Sequence, residues 1–298
     1  MLISRRSARQ LGRIFLSLLA VLSALTLSAA AAPAAEETVS LAGLTVTVWP
    51  PERTEGGKAP LILFSHGYNG CAAQSGFLMS AFARAGYAVF APSHRDNLCV
   101  AGTKAPPPEA PFGKPEMWSE ATYRDRADDL RHLLAALETD ARWRDRLDFT
   151  ELALAGHSLG GFTVLGLAGA WPGWKLPDVK AVLAFAAYSR PFLWYRALER
   201  LSVPVMYQAG ALDRMTAALS APLGAYDQTP APKYYVEFKG ADHSAWSING
   251  AAFRRTIAAY SLAFLDHYVK GAPADPLLTE KADRVATLRY QSELGVGE

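Results

Sequence analysis

A serine between two glycines is the first feature of this sequence that could do chemistry. Ser158 stands in the segment AGHSLGG, after an apolar run and before small residues with helical spacing. Because Gly156 and Gly160 lack a Cβ, the chain can turn sharply there from a strand into a helix and raise the serine hydroxyl above the sheet. The pattern predicts that Ser158 is a nucleophile at a helix amino terminus, where free N–H groups favour a negative oxygen. The alternative is a glycine-rich turn with an unreactive serine.

A serine hydroxyl becomes a good nucleophile only when a base accepts its proton and an acid orients that base. In chains with this kind of turn, the acid and then the base follow the serine. Asp213 comes just after the apolar strand SVPVMYQAG, and His243 comes just after the strand KYYVEF. Both are expected at the edge of the sheet that carries the serine. We therefore predict Ser158, Asp213 and His243 as the catalytic residues.

Other histidines and acids fit this pattern less well and remain as alternatives. His94 also stands at the end of a strand, but it precedes the serine in the chain. His157 lies inside the turn, and its side chain is expected to turn away from the cleft. Two histidines fall on predicted helices and are expected at the surface or in packing: His132 and His267. The alternative acids are both loop residues: Asp227 and Asp242.

Acyl transfer also requires hydrogen-bond donors for the oxyanion that forms. The backbone N–H of Leu159, directly after the nucleophile, is predicted as one donor. The segment SHGYNG, at the end of the strand predicted at 61–67, is expected to supply the other donor through the N–H of Tyr68. Gly67 would let this loop approach the serine closely. The alternative is that the segment is only the end of a strand.

These residues need a sheet to bring them together, and the sequence predicts one. Apolar runs typical of strands buried on both faces alternate with segments of helical spacing. Strands are predicted at 44–50, 61–67, 87–93, 150–156, 179–188, 202–210 and 233–238, and helices at 75–85, 119–140, 159–170 and 251–268. This order predicts an α/β fold with a mainly parallel sheet, helices on both faces and ligands at the carboxyl ends of the strands. We expect one domain over residues 36–270, without a large cap domain, and a polar tail over 271–298.

The first 34 residues have the features of a secretory signal peptide. A basic start precedes a short apolar run at 14–27 and then alanines that resemble a cleavage site. Cleavage is predicted between about residues 30 and 35, after Ala30 or Ala34, so the mature protein is expected to be periplasmic or secreted and without a membrane span. An uncleaved anchor is the alternative, and an arginine pair near the start hints at twin-arginine export.

The charge of the chain argues against nucleic acid as a partner. Lys and Arg number 30 and Asp and Glu number 28. Four of the arginines belong to the predicted signal peptide: Arg5, Arg6, Arg9 and Arg13. The rest of the chain is therefore slightly acidic, and it carries no basic tract.

The segments LILFSHGYNG, AGHSLGGFT, QAGALD and GADHSAW together resemble those of the α/β-hydrolases. Over about residues 44–269 the chain is similar to bacterial esterases grouped with dienelactone hydrolases, platelet-activating-factor acetylhydrolases and cutinase-type polyester hydrolases. The resemblance implies the α/β-hydrolase fold, the triad Ser158–Asp213–His243, and neither a cofactor nor a metal. Dienelactone hydrolases typically have a cysteine nucleophile, so the serine argues against lactone cleavage. Polyester hydrolases usually carry a disulfide near the carboxyl terminus, and this sequence has no cysteine after Cys99.

The sequence has two cysteines, and the fold that the resemblance implies places them on neighbouring strands. Cys71 follows the loop of Tyr68, and Cys99 follows the next strand. In an exported protein the two thiols can be oxidised. We predict a Cys71–Cys99 disulfide that pins the loop, and two free buried thiols are the alternative.

The substrate is expected to be a small-molecule or polymeric ester, cleaved through an acyl-enzyme intermediate. Acyl transfer to an alcohol, or a catalytically inactive binding protein of the same fold, are the alternatives. Aromatic residues in the Pro-rich loop 101–118, in the segment YSRPFLWYRALER after a strand end and beside His243 are predicted to line an apolar cleft: Phe112, Trp118, Phe192, Trp194, Tyr195 and Trp246. The alternative is that several of them only cover the sheet.

Overall fold

The apolar runs of the sequence form the strands of one mixed sheet. In the computed structural model, which describes residues 36–52, 57–99, 104 and 106–298, ten strands lie side by side. They are β1 (Glu37–Leu41), β2 (Leu44–Trp49), β3 (Ala59–Ser65), β4 (Ala88–Pro92), β5 (Leu147–His157), β6 (Val179–Phe185), β7 (Val205–Gly210), β8 (Lys233–Phe238), β9 (Val285–Ser292) and β10 (Gly295–Gly297). The signal peptide predicted for residues 1–34 lies outside the described residues.

The central strands of the sheet are parallel, and the outer strands are antiparallel. The spatial order is β1-β2-β4-β3-β5-β6-β7-β8-β9-β10. All pairs from β4 to β8 are parallel, whereas β1–β2, β2–β4, β8–β9 and β9–β10 are antiparallel. Every residue of β3, β4 and β7 is buried, as expected for strands covered on both faces. The carboxyl ends of the parallel strands meet at one side, which we call the carboxyl edge.

Helices cover both faces of this sheet. They are α1 (Gly76–Arg84), α2 (Arg124–Thr139), α3 (Leu159–Leu165), α4 (Arg190–Trp194), α5 (Ala225–Gln228) and α6 (Arg254–Tyr268). On one face α2 and α3 bury Leu130 and Phe162, and on the other face α1 and α6 bury Phe82 and Phe264. The described residues belong to one compact unit. None of the described helices is long and apolar enough to cross a membrane.

The predicted fold class is confirmed, and most predicted elements lie close to where the sequence placed them. The strand β8 spans the same residues, 233–238, as the prediction. The helix α2 begins at Arg124 and not at 119, because Tyr123 has a φ of +58°, in the left-handed region that a right-handed helix excludes.

The prediction of a polar tail over residues 271–298 is wrong. β9 pairs antiparallel with β8, and β10 pairs with β9, so this segment extends the sheet. Only Val285 and Leu288 of β9 are buried, because a strand near the edge of a sheet needs apolar residues at few positions. The polar composition therefore hid two strands.

Candidate active site

Ser158 lies on a strained turn between β5 and α3. Its φ is +55° and its ψ is −115°, a combination that residues other than glycine rarely adopt. A Cβ on Gly156 would stand 2.3 Å from the carbonyl oxygen of Gly160, and one on Gly160 would stand 1.9 Å from that of Ser65. Both positions therefore require glycine. The turn places Ser158 at the carboxyl edge, with 9% of the residue still exposed.

Asp213 and His243 meet at the same edge. Asp213 follows β7 and His243 follows the neighbouring parallel strand β8, so the two loops leave the sheet side by side. The His243 Nδ1 atom lies 2.7 Å from the Asp213 Oδ2 atom. The carboxylate also accepts hydrogen bonds from the Met215 N–H at 3.0 Å and from the Thr216 hydroxyl at 2.8 Å.

These contacts keep Asp213 ionised. Burial alone would raise its pKa, but the hydrogen bond and the charge interaction with His243, together with the donors of Thr216 and Met215, hold the pKa below its ordinary value. A carboxylate at Nδ1 fixes the proton of a neutral imidazole on that nitrogen and leaves Nε2 as a proton acceptor. The pair is therefore prepared to act as an oriented base.

His157, which precedes Ser158, lies against His243. The centroids of the two imidazole rings are 4.8 Å apart, and the His157 Nε2–H donates to the His243 carbonyl oxygen at 2.9 Å. The other ring nitrogen accepts from Gln74 Nε2 at 2.6 Å, and the Gln74 Oε1 accepts from the Gly67 N–H at 3.1 Å. Burial first, and the nearby His243 second, lower the pKa of His157 to about 3, so its ring is neutral at neutral pH.

Sequence reasoning missed this role of His157. We expected its side chain to turn away from the cleft, and it does lie buried, but it connects the loop of Gly67 to the backbone of His243. The only sequence signal was its position inside the turn. Gln74 carried no signal at all, because its bond to His157 joins segments 83 positions apart in the chain.

The loop predicted to bind the oxyanion packs against the turn. A Cβ on Gly67 would stand 3.4 Å from the Cβ of Ser158 and 3.1 Å from the Nδ1 atom of His157. Within the described chain, neither the Tyr68 N–H nor the Leu159 N–H donates to another group. The assignment of these two donors stays a prediction, and both N–H groups remain unoccupied as donors for an oxyanion.

His94, the alternative base, belongs to a second Ser–His–Asp arrangement. Its Nε2 atom lies 2.9 Å from the Ser65 hydroxyl, and its Nδ1 atom lies 2.7 Å from the Asp129 carboxylate. Ser65 and His94 are fully buried, so no substrate reaches them. Burial, followed by the charge of Arg126, lowers the pKa of His94 well below its ordinary value. This arrangement is part of the core, and its burial favours His243 over His94 as the base.

Cys71 and Cys99 are joined by a disulfide, and their Cα atoms are 5.7 Å apart. The bridge ties the segment after the Tyr68 loop to the segment after β4. Close by, the Leu98 N–H donates to the Gly70 carbonyl oxygen at 3.3 Å. The covalent bond and the hydrogen bond hold these two loops together.

Three of the aromatic residues predicted to line a cleft lie in the core instead. Trp118, Phe192 and Trp246 have no exposed surface. Trp118 packs between Phe162 and Tyr188, Phe192 stacks on Phe162, and the Trp246 indole N–H donates to Gln208 at 3.0 Å. Their assignment to the cleft is corrected, because residue type alone does not separate an aromatic that covers the sheet from one that faces a substrate.

The other three aromatic residues reach the surface. Trp194 and Tyr195 are exposed at the end of α4, and Phe112 is half-buried. The Tyr195 hydroxyl donates to the Glu116 carbonyl oxygen at 3.1 Å, which joins the connection before α2 to the end of α4. Among the residues that the structure describes, no group of three or more His, Cys, Asp and Glu side chains is arranged to hold a metal ion.

A mainly parallel sheet that carries a serine on a strained strand–turn–helix, with an acid–histidine pair at the same edge, defines an α/β-hydrolase. Comparison with known proteins places the chain within this class. The chain belongs to the PET hydrolase-like family, whose model matches residues 116–274, slightly more than half of the chain.

Curated relatives include cutinases from three species of Thermobifida. The chain is 32% identical to cutinase est2 of Thermobifida alba over 146 residues, which cover 47% of this chain and 44% of that protein. It is 30% identical over 146 residues to cutinase 2 of Thermobifida cellulosilytica, with 47% and 51% covered, and to cutinase cut1 of Thermobifida fusca, with 47% and 42% covered. The chain thus spans about half the length of the curated relatives it matches.

Proposed function

We propose that this protein is an exported serine hydrolase that cleaves carboxylic esters through Ser158, His243 and Asp213. The observation that carries the proposal is the 2.7 Å contact between His243 and Asp213 at the edge where Ser158 stands on its strained turn. Membership of the PET hydrolase-like family and the similarity to cutinases support the same reaction. The signal peptide predicted from the sequence supports export.

In the first half of the reaction, the Ser158 Oγ atom adds to the carbonyl carbon of the ester while His243 Nε2 takes its proton. The carbonyl π electrons move to oxygen, and the resulting oxyanion receives hydrogen bonds from the N–H groups of Tyr68 and Leu159. The intermediate then collapses, the bond to the leaving alcohol breaks, and the His243 imidazolium returns the proton to the alcohol oxygen. Asp213 stabilises the imidazolium throughout.

In the second half, water takes the place of the alcohol. His243 Nε2 removes a proton from the water as its oxygen adds to the acyl carbon, and the same N–H groups stabilise the second oxyanion. When the intermediate collapses, the bond to Ser158 Oγ breaks and His243 returns the proton to that oxygen. The carboxylic acid leaves and the serine is regenerated.

A polymeric or lipid-like ester is the favoured substrate class. Among the described residues, every large exposed apolar side chain except Val296 lies in a connection that leaves the carboxyl edge from β4, β6, β7 or β8. We call these residues the apolar rim: Leu98, Met117, Trp194, Tyr195, Leu212, Met215, Leu223 and Ile248. Leu212 and Met215 flank Asp213 in the chain, and exposed apolar side chains beside a reactive group suit a water-insoluble substrate.

The proposal is tested by comparing the wild-type protein with Ser158→Ala on p-nitrophenyl esters of graded acyl length and on a polyester film. We expect hydrolysis by the wild-type protein, and a loss of at least about 10³-fold in kcat for Ser158→Ala. Ser80→Ala, a change of the same kind on α1, serves as the matched control and keeps the wild-type rate. Equal rates for the wild-type protein and Ser158→Ala would refute the proposal.

Labelling with a fluorophosphonate separates an enzyme from an inactive binding protein of the same fold. The phosphorus forms a bond to the serine oxygen and fluoride leaves, with the serine proton passing to the base. We expect the label on the peptide that contains Ser158 and not on the one that contains Ser65. Added alcohols that yield new esters in place of free acid would assign the protein to acyl transfer.

A further inference from the structure

Arg126 is a fully buried arginine that the proposed reaction does not use. It lies on α2 and points under the loop that carries Tyr68. Its guanidinium contacts both carboxylate oxygens of Asp96 at 2.8 Å. It also donates to the carbonyl oxygens of His66 at 2.7 Å and Gly67 at 3.2 Å. A buried ion pair is weak evidence for stability, because removing the two charges from water offsets much of their attraction. Its contacts therefore call for another explanation.

The backbone groups around Tyr68 are almost all occupied. The Gly67 carbonyl oxygen accepts from Arg126 Nη2, from His66 Nδ1 at 2.8 Å and from the Gly70 N–H at 3.0 Å. The Gly67 N–H donates to Gln74, and the Asn69 N–H donates to Asp96 Oδ2 at 3.3 Å. Within the described chain, the Tyr68 N–H between them has no acceptor. The loop is thus fixed on both sides of one open donor.

The geometry of the peptide group means that these contacts fix the direction of the Tyr68 N–H. The Gly67 carbonyl and the Tyr68 N–H belong to the same planar trans peptide group, in which C=O and N–H point in opposite directions. Donors that hold the Gly67 oxygen on the Arg126 side therefore turn the Tyr68 N–H to the other side. Gly67 itself packs against Ser158, so the orientation of this single peptide decides whether its N–H faces the reacting carbonyl.

The charges of the cluster are consistent with this arrangement. Burial raises the pKa of Asp96, but the charge and hydrogen bonds of Arg126 outweigh that effect and keep the carboxyl ionised. Burial and the charge of Arg126 lower the pKa of His66 and of His94 well below the ordinary value, so both rings are neutral. The guanidinium is thus balanced by Asp96 and free to direct its remaining N–H groups at the loop carbonyls.

We propose that Arg126 and Asp96 are positioning residues that aim the Tyr68 N–H at the oxyanion, by holding the Gly67 carbonyl and the Asn69 N–H of the same loop. The assignment rests on the proposed ester hydrolysis, since it names how one of its donors is oriented. Neither side chain touches the substrate.

The test uses Arg126→Lys, which keeps the charge but loses the planar set of donors, and Asp96→Asn, which keeps the volume but loses the charge. A single oxyanion donor contributes about 10²–10³-fold to kcat, so a misaimed one is expected to lower kcat about 10- to 100-fold with KM changed less than about threefold.

Inhibition by an alkylboronic acid provides the second readout. Ser158 Oγ adds to its boron, the proton passes to His243, and a tetrahedral anion forms in the place of the oxyanion. Its inhibition constant is expected to rise by about the same factor as kcat falls.

Leu137→Ala is the matched control, because Leu137 is buried on the same helix, three turns away from Arg126. It is expected to lower the Tm while leaving kcat and boronate affinity unchanged in the folded protein. Wild-type kcat in Arg126→Lys and Asp96→Asn would overturn the proposal, and so would a loss of kcat without weaker boronate binding. If Arg126→Lys does not fold, the near-isosteric Asp96→Asn decides by the same criteria. If the wild-type protein hydrolyses esters and Ser158→Ala does not, failure of these variants leaves the proposed function intact.

Discussion

Ser65 and Ser158 both lie beside histidines, and the surroundings of the two serines differ. Ser65 donates to His94, which donates to Asp129, and the hydroxyl lies in the core on an ordinary strand end. Ser158 lies on a backbone with a φ of +55°, keeps part of its surface exposed, and follows a residue whose ring rests on His243. Connectivity alone would not distinguish the two. Access and the strained turn favour Ser158.

Replacing Asp213 with Asn is expected to lower kcat by about 10³–10⁴-fold with little change in KM. The amide no longer fixes the proton on His243 Nδ1, and it stabilises the imidazolium poorly. The matched control is Asp242→Asn, since Asp242 adjoins His243 but accepts only from Ser244, from its N–H at 2.9 Å and its hydroxyl at 2.7 Å. Steady-state kinetics on a soluble p-nitrophenyl ester measures both variants. A larger loss of kcat in Asp242→Asn than in Asp213→Asn would show that Asp242, and not Asp213, is the catalytic acid.

Asp129 provides a prediction for the dependence of stability on pH. Burial is the main cause that raises its pKa from 3.8 to about 6, so the folded state binds this proton more tightly than the unfolded state does. Stability is therefore highest when the carboxyl is protonated in both states, falls as the pH rises from about 4 to about 6, and stays at the lower level above that. Asp129→Asn carries no charge and is expected to be more stable than the wild-type protein at pH 8.

The expected gain is about 1–2 kcal/mol in the free energy of unfolding, after allowance for the partial exposure of the carboxyl to solvent. At pH 4 the difference should be close to zero. Urea unfolding at the two pH values measures it, with Asp128→Asn, on the same helix, as the control. A variant that is less stable than the wild-type protein at pH 8 would mean that His94 gains more from the carboxylate than burial costs.

At the scale of elements, the arrangement of residues at the carboxyl edge depends on hydrogen bonds between loops that leave different strands. Gln74 and His157 link the loop after β3 to the backbone of the loop after β8 through hydrogen bonds of 3.1, 2.6 and 2.9 Å. The disulfide and the Arg126–Asp96 pair fix other parts of the first loop. Contacts from several elements together therefore fix the positions of the residues around Ser158.

His157→Phe is expected to lower kcat about tenfold and to cost about 1–3 kcal/mol in the free energy of unfolding, because the ring remains but its two hydrogen bonds are lost. Gln74→Leu breaks the same link at its other end. In a double-mutant cycle, the combined variant should lose less than the sum of the single variants, since either change already disconnects the loops. Fully additive losses would show that the two residues act independently.

The elements also show what a single sequence can predict. Strands β3, β4 and β7 are buried at every position, so their continuous apolar runs were sufficient evidence. The β9 strand buries only Val285 and Leu288, and its pairing with β8 is a long-range contact that no local pattern encodes. The positions of Ser158, Asp213 and His243 at the carboxyl edge were predictable because the order of strands places them there. The contacts of Gln74, Asp96 and Arg126 join distant segments, which no local pattern encodes.

At the scale of the whole molecule, the distribution of exposed apolar side chains is uneven. The apolar rim lies in the connections that follow β4, β6, β7 and β8, and Val296 on β10 is the one large exposed apolar residue elsewhere among those described. Composition could not predict this, because the number of apolar residues does not reveal which of them folding leaves outside. Leu212 and Met215 put part of this apolar surface on either side of Asp213, which supports the proposed water-insoluble ester as substrate.

Replacing three members of the apolar rim with serine, as Leu212→Ser, Leu223→Ser and Ile248→Ser together, is expected to lower the hydrolysis of a polyester film more than that of a soluble ester. Each of these side chains is more than 60% exposed, so its loss costs the fold little while it removes apolar surface that adsorption would bury. The ratio of the rate on film to the rate on p-nitrophenyl acetate is expected to fall at least about fivefold, because the loss of about 1 kcal/mol of adsorption free energy changes binding by that factor. The amount of protein bound to the film is expected to fall in parallel. Val296→Ser, with 72% exposure on the far edge strand, is the control and should keep the wild-type ratio. An unchanged ratio in the triple variant would exclude the rim as the face that meets the polymer.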